Sequence, residues 1–428
     1  VIVDKLVIQG PCKIQGNLTA SGSKNAALPI LFATILSDEK HLVKNVPCLH
    51  DMESTLKMLL HFGAHVNQHF EATWGSRWTI DTSRVTHGNA PYDLVRKMRA
   101  SFFSLGPILG RLGKGRVSLP GGCAIGARPV DLHLMAFEKL GATIEQSGGD
   151  VDIKAPGGRL IGNRVRFPKI SVGATENLIM AAVTARGETL IENAAAEPEV
   201  RYLSEALMSM GAKIEGHGTH TIRIQGVDKL GALNYSIPSD RIEVGTYLIA
   251  SQLLGGDVTI ADAPVEDLEI LLAKLRESGA KVDVVGKSVR LISSQTIKPV
   301  SLVTEAFPGF ATDLQAQWVA LMTHAEGEST IEETIFENRF MHVPELIRMG
   351  GKYSIEGSKI KIFGKPGILR GAPVMATDLR ASASLVLAGL AAEGESAIKR
   401  IYHLDRGYES MELKLRSLGA RIERRQDD

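Results

Sequence analysis

Leu140-Gly141-Ala142-Thr143-Ile144 is the stretch on which the fold turns. An apolar residue, a glycine, an alanine and then a β-branched pair mark a helix that ends on a left-handed glycine and runs straight into a strand. The same joint returns as Phe62-Gly63-Ala64-His65-Val66, Met210-Gly211-Ala212-Lys213-Ile214, Ser278-Gly279-Ala280-Lys281-Val282, Met349-Gly350-Gly351-Lys352-Tyr353 and Leu418-Gly419-Ala420-Arg421-Ile422. The glycines lie 78, 70, 68, 71 and 69 residues apart. One such joint is common; six at near-constant spacing make an internal repeat. The helix before one of them is readable, with Leu268, Leu271, Leu272 and Leu275 at helical spacing after Pro264. A second marker keeps step. Gly187-Glu188-Thr189, Gly256-Asp257-Val258, Gly327-Glu328-Ser329 and Gly394-Glu395-Ser396 each follow an Ala/Leu-rich helix and open a strand. Ser37-Asp38-Glu39-Lys40 and Gly113-Lys114-Gly115-Arg116 stand in that place in the first two units. A unit of about 70 residues is longer than a solenoid or propeller repeat of roughly 20–50. Each reads as a small α/β subdomain, and six of them suggest two lobes of three.

The rest of the composition bounds the function. The chain has 428 residues, 44% of them hydrophobic and 23% charged, which suits a globular protein. A formal net charge of +1 gives no sign of a nucleic-acid or membrane partner. Three widely spaced cysteines, Cys12, Cys48 and Cys123, form no Cys-x-x-Cys pair, so neither a disulfide framework nor a zinc ribbon is expected. No clustered His, Cys, Asp or Glu pattern reads as a metal site, and no glycine-rich dinucleotide fingerprint is present. The N-terminal residues alternate like a strand rather than a signal peptide, so a reducing cytoplasm is the expected setting. The last six residues, Glu423 to Asp428, are expected to fray. The best break between lobes is Ile237-Pro238-Ser239-Asp240-Arg241, with another at Thr19-Ala20-Ser21-Gly22.

Several clusters could carry chemistry. Pro120-Gly121-Gly122-Cys123-Ala124-Ile125-Gly126-Ala127-Arg128-Pro129-Val130-Asp131-Leu132-His133 sets a thiol in a glycine-rich loop near a guanidinium, which would lower its pKa and raise its reactivity. Ser23-Lys24-Asn25 stands at the mouth of an Ala/Leu helix, where anions are favoured. Arg99 follows Met98 on a helix whose apolar stripe is Leu94, Met98, Leu105 and Leu109. Lys169, Ser171 and Gly173 lead into another Ala-rich helix and could hold a pyrophosphate, though Ser-x-Gly is equally a plain cap. In the second half, Thr312-Asp313-Leu314 and Thr377-Asp378-Leu379 each open a helix. Asp313 and Asp378 recur at matching places, as do Arg339 and Arg406. Two carboxylates suit a reaction that adds and removes a proton, and several guanidiniums suit a small polyanion.

These motifs together resemble the UDP-N-acetylglucosamine 1-carboxyvinyltransferase family, the enolpyruvyl transferases that begin bacterial peptidoglycan precursor synthesis. The resemblance covers essentially the whole chain. It rests on Ser-Lys-Asn-Ala-Ala-Leu-Pro at 23–29, Met-Arg-Ala-Ser at 98–101, the Cys123 loop, Ser-Val-Gly-Ala-Thr at 171–175, Thr-Asp-Leu-Gln-Ala-Gln at 312–317, Phe-Glu-Asn-Arg-Phe-Met-His at 336–342, Thr-Asp-Leu-Arg at 377–380 and Asp-Arg-Gly-Tyr-Glu at 405–409. It implies an α/β fold of two inside-out barrel lobes, each of three pseudo-symmetric units. The first lobe would be residues 21–238, with the Cys123 loop. The second would be 1–20 and 239–428, so that the chain crosses twice and one site draws on both lobes.

The resemblance also implies two small-molecule substrates, phosphoenolpyruvate and UDP-N-acetylglucosamine, and no cofactor or metal. Cys123 would donate a proton to the methylene carbon. Asp313 would act as base on the sugar hydroxyl, and Asp378 would be the second catalytic carboxylate. Lys24, Arg128 and Arg406 would clamp the phosphate of phosphoenolpyruvate, with Asn25 beside them and Arg339 and Arg380 on its carboxylate. The nucleotide sugar would meet Asn25, Arg99, Arg128, Pro129, Val130, Asp131, Leu132, Lys169, Ser171, Val172, Gly173, Asp313 and Ile335. The shikimate-pathway enolpyruvyl transferase and a non-catalytic nucleotide-sugar-binding paralogue are the alternatives. The former lacks the Cys123 loop; the intact set of Cys123, Asp313, Lys24 and Arg406 speaks against the latter.

Overall fold

Each repeated glycine closes a helix in the same way. In the computed structural model, which describes residues 3–95, 99–119 and 130–427, Gly63, Gly141, Gly211, Gly279, Gly350 and Gly419 have φ between +87° and +106°. The two amides around each turn back onto the helix. Gly279 N–H donates to the Arg276 carbonyl at 2.9 Å, and Ala280 N–H to the Leu275 carbonyl at 3.0 Å. The other five copies repeat this pair of bonds, from Gly63 and Ala64 to Gly419 and Ala420. This satisfies carbonyls that a helix end would otherwise leave bare.

The repeat extends to the sheets. There are six separate four-stranded sheets among the described residues, and all have one plan: an edge strand parallel to the second, then two antiparallel pairings. In the unit centred on Gly211, Arg164–Arg166 runs parallel to Glu188–Glu192. That strand pairs antiparallel with Thr221–Gln225, which pairs antiparallel with Lys213–Glu215. Thr221–Gln225 alternates exposed and buried positions, with Ile222 and Ile224 inward, as a sheet with one wet face must.

Two compact units emerge. One is built from residues 22–119 and 130–238, the other from 3–21 and 239–427, among the described residues. Each has its own hydrophobic core, one running from Ala26 to Ile237 and the other from Leu6 to Ile422. Three helices fill the middle of each unit: Lys24–Ala33, Leu105–Leu112 and Val172–Ala182 in one, Arg241–Leu253, Gln315–Thr323 and Leu379–Ala391 in the other. They are buried nearly all round, polar side chains included, instead of along one stripe. Every residue of Gln315–Thr323 is buried. Packing is close: a side chain on Gly106 would put its Cβ 2.4 Å from the Asn177 carbonyl oxygen of the neighbouring helix.

Two expectations change. The C-terminal tail does not fray. Ile422–Asp427 is a strand paired with Val3–Gly10, with Ile8 opposite Ile422. Its partner lies some four hundred residues away in sequence, where no local signal reaches. The stretch around Arg99 is not one helix. It is Tyr92–Val95, a 3-10 segment Arg99–Ser104 and a new helix Leu105–Leu112, with residues 96–98 outside the described set. Pro107 explains the fresh start, because it lacks an N–H and is tolerated in a first turn. At the second marker, Gly187, Gly327 and Gly394 have positive φ, but in the fourth unit Gly255 takes that place instead of Gly256.

Candidate active site

In the unit of residues 239–427, the two Thr-Asp-Leu motifs do different work despite their matching positions. Asp378 caps the helix Leu379–Ala391. Its Oδ1 accepts from the Arg380 and Ala381 amides at 2.9 and 3.1 Å, the usual role of Asp at a helix start. Its Oδ2 accepts from the Thr377 hydroxyl at 3.4 Å. Asp313 lies within the 3-10 turn Thr312–Leu314 and turns its carboxylate to two arginines. Arg339 Nη2 donates to Oδ1 and Arg380 Nη2 to Oδ2, each at 2.7 Å. Both guanidinium side chains are 4% exposed, while Asp313 is 26% exposed. Burial works against the charge on Arg380, but Asp313, helped by Tyr408 and Asp240, outweighs it and holds the guanidinium above its ordinary pKa. Arg380 also stacks on Tyr408, and Arg339 on Phe336.

Residues the motif reading gave no role hold this arrangement. Glu333 is buried. It accepts from the Thr312 hydroxyl at 2.9 Å and from the Ile335 and Phe336 amides at 2.8 and 3.1 Å, tying the Asp313 turn to Ile335. Gln317 Nε2 donates to the Asp313 carbonyl at 3.0 Å and lies 3.0 Å from the Tyr408 hydroxyl. His342 is buried, and burial pushes its pKa down to about 4, with Asp378 pulling the other way; it is a neutral imidazole beside Asp378. Arg406 ends the 3-10 segment Ile401–Arg406. Glu333 lies in no repeated motif; only its place at a strand end next to a turn could have pointed to it.

In the other unit, Lys24 is the first residue of its helix, behind Ser23, whose hydroxyl accepts from the Ala26 amide. Lys24 Nζ meets Asp51 Oδ2 at 2.7 Å, with both side chains largely buried. Asn25 follows on the same first turn. Val130, Asp131 and Leu132 open the helix Asp131–Lys139. Ser171 caps Val172–Ala182, accepting from the Ala174 amide, with Gly173 in its first turn. These two helix starts come together. A Cβ on Gly173 would lie 3.4 Å from the His133 ring, and Asn177 Nδ2 lies 3.0 Å from His133 Nδ1. Asn177 also takes the Gly106 amide at 2.7 Å and gives to the Phe102 carbonyl at 2.9 Å. Two helix N-termini side by side present positive dipole ends, suited to a diphosphate. Lys169 is exposed just before them. Ile335 is also exposed, in the other unit. Cys123, Arg128 and Pro129 lie outside the described residues, as does the side chain of Arg99. No group of three or more His, Cys, Asp or Glu is placed to hold a metal among the described residues.

A carboxylate between two buried guanidiniums and a pair of helix starts fit the chemistry of small anions, and comparison with known proteins narrows it. The family model described as EPSP synthase (3-phosphoshikimate 1-carboxyvinyltransferase) matches residues 8–415. The UDP-N-acetylglucosamine 1-carboxyvinyltransferase of Nitratidesulfovibrio vulgaris is 51% identical over 423 residues, covering 99% of both chains. That of Enterobacter cloacae is also 51% identical over 423 residues, with 99% of each covered. Among solved structures, the enolpyruvyl transferase NikO from Streptomyces tendae superimposes with a TM-score of 0.87 at 25% identity, covering 100% of each chain. The EPSP synthase of Acinetobacter baumannii gives 0.75 at 18% identity, over 99% of this chain and 100% of that one, and speaks to the fold alone. The shared fold is that of the enolpyruvyl transferases, and identity over half the positions from end to end places the chain in one branch of it: it belongs to the UDP-N-acetylglucosamine 1-carboxyvinyltransferase family.

Proposed function

We propose that the protein moves the enolpyruvyl group of phosphoenolpyruvate onto the 3′-hydroxyl of UDP-N-acetylglucosamine and releases phosphate, as the committed step of peptidoglycan precursor synthesis. The observation that carries the mechanism is Asp313 bridging Arg339 and Arg380 through both carboxylate oxygens. Two preset guanidiniums holding one carboxylate are a receptor for a carboxylate. Phosphoenolpyruvate brings its own. Once it occupies Arg339 and Arg380, Asp313 loses those partners and becomes available as the base for the sugar hydroxyl. Base and electrophile are thereby coupled: the base for the sugar hydroxyl is released when phosphoenolpyruvate arrives.

The steps balance. Cys123 gives a proton to the methylene carbon, so the neighbouring carbon becomes electrophilic. The 3′-hydroxyl adds there as Asp313 takes its proton. Return of a proton from the new methyl group to the Cys123 thiolate, with departure of phosphate carrying the proton held by Asp313, restores the double bond and both side chains. Asp378 is the second carboxylate of this scheme. Lys24, Arg128 and Arg406 hold the phosphate, with Asn25 close by, and the reaction gains most where charge shifts against fixed donors. Arg99, residues 128–132, Lys169, Ser171 to Gly173 and Ile335 hold the nucleotide sugar. A cytoplasmic setting suits the reactive thiol assigned to Cys123, and among the described residues no helix is long and apolar enough to cross a membrane.

Single-turnover phosphate release tests the reading. UDP-N-acetylglucosamine should support release and shikimate 3-phosphate should not. Release with the latter instead would assign the sister reaction, and binding of the nucleotide sugar without release would leave only a binding protein. In the same assay Asp313→Ala should lower the rate by at least a thousandfold with the melting curve retained, because a methyl group cannot accept the alcohol proton. Near-native release would remove Asp313 from the mechanism.

A further inference from the structure

Arg424 lies on the C-terminal strand Ile422–Asp427, which pairs with Val3–Gly10. Strand alternation puts it on the face of buried Ile422, while Glu423 and Arg425 share the opposite face and pair with each other at the surface. The Arg424 guanidinium takes up three carboxylates, all of its own unit. Nη1 and Nη2 donate to Asp405 Oδ2 and Oδ1 at 3.0 and 2.6 Å. Nε donates to Glu412 Oε1 at 2.9 Å, and Nη1 reaches Asp4 Oδ2 at 3.5 Å. A forked pair such as that with Asp405 fixes direction as well as distance. Glu412 stands in the first turn of the helix Met411–Ser417. One side chain of the last strand thus holds that helix start and the segment before it. The reacting groups proposed above include neither Arg424 nor Asp405.

The segment is Ile401–Arg406, and its local structure is weak. It is a 3-10 run of six residues that begins after Arg400 at φ +59°. Such runs rarely pass three or four residues, because their hydrogen bonds are poorly aligned. Its end is held from outside. The Gly407 and Tyr408 amides both donate to the Leu404 carbonyl at 3.0 Å. Tyr408 is buried, with its hydroxyl 2.8 Å from Thr246 Oγ1. Arg406 therefore lies between two pins of the same unit, Asp405 on the strand and Tyr408 in the core. With three residues to a turn, the Arg406 side chain leaves the segment about 120° round from that of Asp405. Fixing Asp405 on the strand fixes the direction in which Arg406 leaves.

We propose that Arg424 is a positioning residue: by clamping Asp405 it sets the turn that carries Arg406, and so the place of the Arg406 guanidinium. The link to substrate rests on the reading of Arg406 as a phosphate ligand of phosphoenolpyruvate. The test is amide exchange in the ligand-free protein together with steady-state kinetics. In Arg424→Gln, exchange over residues 401–408 should rise about tenfold, while Gln315–Thr323 in the same unit keeps its protection. The KM for phosphoenolpyruvate should rise about fivefold, and that for the nucleotide sugar distinctly less. Arg425→Gln, which breaks only the surface pair with Glu423, should change neither. Arg424→Lys, which keeps the charge but not the fork, should fall between wild type and Arg424→Gln. Asp405→Asn keeps the shape and removes the charge, so it should repeat the Arg424→Gln pattern and serves where that variant does not fold. The double variant should be no worse than either alone, because both remove one interaction. Unchanged exchange over residues 401–408 overturns the proposal, as do additive effects in the double variant or equal rises in the two KM values. So does raised exchange with an unmoved KM for phosphoenolpyruvate where Arg406→Ala moves it. If Arg406→Ala itself leaves that KM unmoved, the reading of Arg406 fails instead; the exchange arm, which needs no substrate, still decides whether Arg424 sets the turn.

Discussion

At the scale of single residues, burial decides which groups stay neutral. His41 is fully buried, and both its ring nitrogens are used. Nδ1 takes the Leu233 amide at 3.0 Å, so it carries no proton, and Nε2 lies 3.0 Å from the Thr82 hydroxyl. Burial, with Arg111 nearby adding to it, lowers its pKa to about 4. A charged imidazole would have to break the Leu233 bond. The unfolded chain takes up this proton below about 6.5, the folded one only near 4, so the unfolded state binds more protons in that window. Stability of the unit holding His41 should therefore fall as pH drops from about 6.5 to about 4, by at most roughly 1.4 kcal/mol per pH unit for this one group. His41→Gln should cost stability at every pH and flatten that slope. Urea midpoints between pH 4.5 and 7 decide it; an unaltered slope would mean that His41 titrates normally. Glu333 and Asp51 teach a related lesson about legibility. Their partners, Thr312 and Lys24, stand in recognisable motifs, but the acids themselves sit in none, because a buried partner is chosen by tertiary geometry.

At the scale of elements, the repeat was legible because helix termination is local chemistry. A glycine at positive φ, with two amides folded back, needs no distant partner, so six joints could be read from spacing alone. The broken segment before Leu105 shows the limit: an apolar stripe persists across it, but Pro107 and tertiary packing divide it. The joints also allow backbone strain to be separated from crowding. Gly211 and Gly279 have φ of +104° and +106°. A Cβ on Gly211 meets nothing within 4 Å, whereas on Gly279 it would lie 2.9 Å from Ser294 Oγ, which is tied to Gln252 and to the Thr296 carbonyl. Gly211→Ala should then cost only the left-handed strain, about 1–2 kcal/mol. Gly279→Ala should cost distinctly more. Equal losses in chemical denaturation would show that Ser294 moves aside freely and that strain alone governs these joints.

At the scale of the whole molecule, the repeat is completed by strands borrowed from far along the chain. Gln15–Thr19 is the parallel edge of the sheet built on Asp257–Ala261, and Asn234–Ser236 is that of the sheet built on Lys40–Val46. Val3–Gly10 goes further and fills an inner position, between Gly394–Lys399 and Ile422–Asp427. The strand character of the N-terminus was legible from alternation; that it would rescue the C-terminal tail from fraying was not, since register between distant strands leaves no local mark. Leu6 and Ile8, both fully buried, belong to the core of the unit 239–427. Removing residues 1–10 deletes about 1.5–3 kcal/mol of burial for each of them and leaves two strands without an inner partner. Because the cores are separate, the loss should be confined. Trp318 is buried in one core and Trp78 in the other, so tryptophan fluorescence can follow each: Trp318 alone when Trp74 and Trp78 are changed to Phe, and the other pair when Trp318 is changed. The truncation should lower the urea midpoint seen by Trp318 by several kcal/mol equivalent and leave the other within a few tenths. Equal shifts of both signals would mean that the two cores unfold as one cooperative body, and that a strand at one end of the chain supports all six repeats at once.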